Sequence, residues 1–68
     1  MNEGVFNMSV RKLLKEFGIT AQRELENTIR AAVSKGSLTG KEKLPVKITL
    51  TLGQTSLHLV LDGEIVLE

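Results

Sequence analysis

The chain has 68 residues, no cysteine, one histidine, two aromatic side chains and a formal net charge of +1. A chain of this size makes one small domain that buries only about 60% of its unfolded surface, and without cysteine it has neither a disulfide staple nor a thiolate metal site. Its 41% hydrophobic and 25% charged residues are those of an ordinary globular protein, which argues against disorder and against a coiled-coil rod. No apolar run approaches the ~20 residues needed to span a bilayer. Asn2–Glu3–Gly4 does not open a signal peptide, so the expected location is the cytoplasm, away from membranes.

In chain order, Phe6, Val10, Leu13, Leu14 and Phe17 recur at helical spacing and predict a first helix over 3–17. Asn2 is a suitable N-cap, and Glu3 suits the positive end of the helix dipole. Gly18 reads as a helix stop, with Ile19 and Leu14 supplying the hydrophobic contact of a Schellman-type ending. Thr20 then caps a second helix over 20–35 with the stripe Leu25, Ile29, Ala32 and Val33, ended by Gly36. Glu26 and Arg30 on its polar side form an i,i+4 pair, acid first.

Residues 36–45 are polar and punctuated by Gly36, Gly40 and Pro45, the signature of a loop. Beyond Pro45 the period becomes two: Val46, Ile48, Leu50 and Leu52 share one face and Lys47, Thr49 and Thr51 the other. This predicts strands over 46–52, 56–61 and 64–67. A two-residue turn at Gly53–Gln54 pairs Leu50 with Leu57 and Ile48 with Leu59, and a four-residue turn over Gly53–Ser56 keeps the same facing. A further reversal is expected at Asp62–Gly63–Glu64, with Gly63 in the left-handed conformation. The expected fold is therefore α+β: two N-terminal helices packed on one face of a three-stranded antiparallel meander, in the order ααβββ.

Catalytic and metal-binding constellations are not found, and no cofactor is expected. Gly36-Ser-Leu-Thr-Gly-Lys41-Glu42 looks superficially like a phosphate loop. It has one residue too few between its glycines, Glu42 stands where a Ser or Thr must reach magnesium, and no strand precedes it. His58 and Asp62 are each the only residue of their kind, whereas a triad or a zinc site needs several convergent groups. The chain is therefore not expected to be an enzyme.

Four stretches, Phe6–Lys12 (FNMSVRK), Gly18–Thr20 (GIT), Leu44–Thr51 (LPVKITLT) and Asp62–Ile65 (DGEI), resemble a family of short bacterial proteins of unknown function. The resemblance runs from about Asn2 to Leu67. It implies a free-standing bacterial domain, and it carries neither an activity nor any site residue.

Two functional expectations arise from the residues. The first is a protein-interaction module, a homodimer or a small adaptor. Its contact surface would be the nearly uncharged outer sheet face, with Thr49, Thr51, His58, Val60 and Val66, or an exposed edge strand. The alternative is a helix-turn-helix-like DNA reader. There, Arg23, Asn27 and Arg30 on the second helix would face base edges, and Arg11, Arg23, Arg30 and Lys35 would supply phosphate contacts. Against it stand the low net charge and the flanking Glu24 and Glu26, which repel phosphates.

Overall fold

The structure is a computed structural model that describes residues 1–68. The chain divides into two compact units, Met1–Ser37 and Leu38–Glu68. The first unit is one helix, α1, over Glu3–Lys35. The second is a two-stranded antiparallel hairpin of β1 (Lys43–Thr51) and β2 (His58–Val66). The expected ααβββ order is thus corrected to αββ.

The Asn2 side chain caps α1 by accepting the N–H of Val5 at 3.1 Å, and the Asn2 carbonyl accepts from Phe6 at 2.9 Å. No break occurs at Gly18–Ile19–Thr20. A mid-helix glycine costs only about 1 kcal/mol relative to alanine, and the apolar positions keep their phase across it, Phe17 to Ala21 to Leu25 in steps of four. A break there would sacrifice backbone hydrogen bonds and interrupt a stripe that is already continuous. The Schellman ending expected at Gly18 is found instead at Gly36, whose φ is 83°. There Gly36 N–H donates to Val33 and Ser37 N–H to Ala32, at 3.1 and 2.9 Å, which satisfies the last carbonyls of the helix.

In the hairpin, Leu50 pairs with Leu59 and Ile48 with Leu61. That is the register of the four-residue turn, and Leu52 N–H extends the ladder to the Leu57 carbonyl at 3.4 Å. The register of the two-residue turn is not the one adopted. The turn is held by Thr55, whose hydroxyl donates to the Leu52 carbonyl at 2.8 Å and accepts from Leu57 N–H at 3.2 Å. Its left-handed residue is Gln54, at φ 64°.

The third strand expected at 64–67 is the second half of β2. Asp62 and Gly63 continue the ladder opposite Lys47 and Val46, and Gly63 is not among the residues with positive φ. The reversal is absent because β1 starts earlier than expected, at Lys43, and so supplies partners as far as Val66. Pro45 is accommodated because each strand of a two-stranded sheet has a free edge, where a missing N–H costs no ladder bond.

Candidate interaction surfaces

Cross-strand partners in an antiparallel pair lie on the same face, so the register sorts the hairpin into two surfaces. One carries Thr49 with Val60, Thr51 with His58, and Val66 with Lys43. All five residues expected at an outer contact face therefore come together. The same face also holds Lys47 opposite Asp62 and Pro45 opposite Glu64, so its Lys43 end is charged and its turn end is nearly neutral.

The other surface is the apolar one: Leu44 with Ile65, Val46 with Gly63, Ile48 with Leu61, and Leu50 with Leu59. No side chain is fully buried within the chain, and on this surface Leu59 and Leu61 are 53% and 59% exposed. Sequence reasoning assigns these side chains to a covered core. The alternation marks the face correctly but says nothing about what covers it.

On α1 the apolar stripe runs from Phe6 through Val10, Phe17, Ala21 and Leu25 to Ala32. Phe6 and Phe17 are 45% and 49% exposed. The signal for this single long surface lies in the unbroken phase across Gly18, which the glycine itself obscures.

The residues of the DNA-reading alternative are distributed differently from what that geometry needs. Arg23, Asn27 and Arg30 succeed one another at i, i+4 and i+7 along one side of α1. Arg11 and Lys35 lie about 80–160° around the helix from them at 100° per residue. Arg30 is paired with Glu26 at 3.8 Å, and Gln22 donates to the same Glu26 carboxylate at 3.1 Å. With α1 unbroken from Glu3 to Lys35, the turn that sets a recognition helix against its support is missing, and the helix-turn-helix reading is withdrawn.

The loop that precedes β1 in the second unit is organised by Glu42. Its carboxylate accepts backbone N–H groups from Thr39 at 2.8 Å, Gly40 at 2.9 Å and Lys41 at 3.1 Å. The Thr39 N–H leads in lowering the Glu42 pKa from 4.5 to about 2, helped by the N–H groups of Glu42 and Gly40 and the Thr39 hydroxyl, while partial desolvation works the other way. The loop that looks like a phosphate cradle thus turns its amides toward an anion, and that anion is its own side chain.

His58, Asp62 and the glutamates form no group of three or more that could hold a metal ion. No helix is long and apolar enough to cross a membrane. No curated protein and no solved structure matches the chain. A family model does match it, over residues 1–68, under the description Family of unknown function (DUF6494), and the chain belongs to that family.

Proposed function

We propose that this chain is a non-catalytic interaction module that works by self-association, its apolar helix and hairpin faces being completed by further copies. The observation that carries the reading is that neither unit contains a buried residue. Helices in proteins owe most of their stability to the packing of an apolar face, and an isolated two-stranded hairpin is marginal at best in water. Each unit here presents an apolar face of the kind that association covers. Folding and assembly then become one equilibrium, and stability depends on protomer concentration.

The test is thermal unfolding by circular dichroism over a hundredfold range of concentration, with sedimentation equilibrium on the same samples. A midpoint that rises with concentration, alongside a mass above 7.5 kDa, is the expected result. A monomer whose midpoint is independent of concentration up to the millimolar range would overturn the proposal.

A further inference from the structure

The distribution of large and small residues along α1 has a symmetry of its own. The N-terminal half of the stripe carries the bulky Phe6, Val10 and Phe17. The C-terminal half carries the small Ala21 and Ala32, with Leu25 and Thr28 between them. Positions equally far from Ile19 therefore match a large side chain with a small one at Phe6–Ala32 and Phe17–Ala21, and two β-branched side chains of similar size at Val10–Thr28. Leu13 and Leu25, equally far from Ile19, match like with like.

From this we infer, resting on the self-association proposed above, that two copies pair through α1 in antiparallel orientation about a two-fold axis level with Ile19. In such a pair the two residues of each match lie side by side in one layer of the interface. Every layer then holds a similar side-chain volume, as close packing requires. A parallel pair would set Phe6 on Phe6 and Ala32 on Ala32, splaying the helices at one end and leaving a gap at the other.

The charges at the ends of the stripe agree. Glu3 and Lys35, in the first and last turns of α1, are also equally far from Ile19. The antiparallel pair brings Glu3 of one copy level with the other copy's Lys35, whereas a parallel pair would place like charges together. An interface with one two-fold axis repeats each of these contacts twice.

Dimensions also favour a second helix as the occupant. The stripe from Phe6 to Val33 is ~40 Å long at 1.5 Å per residue, while nine-residue strands reach only ~30 Å. A helix of ~50 Å offering a strip ~10 Å wide covers about 500 Å² per copy, or about 1,000 Å² for the pair, the size at which specific interfaces begin. Glu24 lies within this strip, five full turns along α1 from Phe6 at the same azimuth, and is level with Leu14 of the other copy.

The experiment is a spin-label distance measurement on the full chain carrying Ser34→Cys, which has no other cysteine to label. Antiparallel pairing about Ile19 puts the two labels thirty residues apart along the axis, a distance of ~45 Å. Phe17→Lys, which places a charge in the central layer, is expected to shift the assembly to monomer. Should that variant simply unfold, the distance in the otherwise unaltered chain still decides.

An assembled protein with labels at 10–20 Å, or with no defined distance, would overturn the antiparallel helix pair while leaving self-association standing. A monomer at all concentrations would overturn both.

Discussion

The backbone N–H of Thr39 donates to the Glu42 carboxylate at 2.8 Å, and this bond leads the set that holds the acid at about 2 instead of 4.5. A carboxyl group with a lowered pKa in the folded state adds stability that is complete above its unfolded value. That contribution is lost as pH falls through the folded value. The window is therefore from about 4.5 down to about 2. NMR titration of the Glu42 side-chain carboxyl is expected to give a midpoint near 2, and Glu42→Gln is expected to speed amide exchange at Thr39, Gly40 and Lys41. A midpoint close to 4.5 would show that the loop amides do not hold the charge.

Two glycines on the same chain should respond to alanine in opposite directions. Gly18 lies inside α1, and a Cβ there meets nothing within 4 Å. Gly18→Ala is expected to raise stability by about 1 kcal/mol through helix propensity alone. Gly36 ends the helix at φ 83°, where a Cβ costs about 1–2 kcal/mol, so Gly36→Ala is expected to lower stability by about that amount. Urea unfolding monitored at a helix wavelength separates the two. A loss on Gly18→Ala would restore the case for a turn at residues 18–20.

That pair of glycines also shows what the sequence makes legible. Both interrupt a helical pattern, and by composition they are alike. The difference lies in the residues on their C-terminal side. After Gly18 the apolar phase continues in steps of four to Ala21 and Leu25, whereas after Gly36 it gives way to a polar loop. The hairpin presents the same problem in another form. Its facing comes from alternation, but a slip of two residues leaves every side chain on its face. The pattern therefore fits Leu50 against Leu57 as well as the observed Leu50 against Leu59. The Thr55 hydroxyl bonds to Leu52 and Leu57, with the left-handed Gln54, distinguish the turn. Thr49, Thr51, His58, Val60 and Val66 are legible as one surface because facing survives such a slip. The exposure of the opposite, apolar surface is not legible, since a hydrophobic pattern marks a need for cover and is silent on its source.

The turn itself offers a third test. Gln54 adopts φ 64°, a left-handed conformation that costs a residue with a Cβ about 1–2 kcal/mol. Glycine removes that cost but gives back about 0.5–1 kcal/mol in backbone entropy. Gln54→Gly is therefore expected to stabilise the hairpin by up to about 1.5 kcal/mol, whereas the β-branched Gln54→Val should destabilise it. Thr55→Ala should cost about 1 kcal/mol, since it removes both hydroxyl bonds of the turn. Thermal melts of the three variants at one fixed protein concentration check the order. A Gln54→Val variant as stable as the parent would mean that the left-handed residue lies elsewhere.

Gly63 decides between a continuous β2 and a reversal at Asp62–Gly63. It is paired with Val46 on the apolar face of the hairpin, and a Cβ added there meets nothing within 4 Å. Its backbone is outside the left-handed region, so a branched side chain brings no strain. Valine at this position would fill the gap between Ile65 and Leu61 on that face and form a cross-strand pair with Val46, for a gain of up to about 1 kcal/mol. At a left-handed turn position the same substitution would instead cost about 1–2 kcal/mol. The expected result for Gly63→Val is thus a higher unfolding midpoint at matched concentration, together with side-chain nuclear Overhauser contacts between residues 46 and 63. A lowered midpoint with those contacts missing would mean that the chain turns at Gly63 and that β2 ends before it.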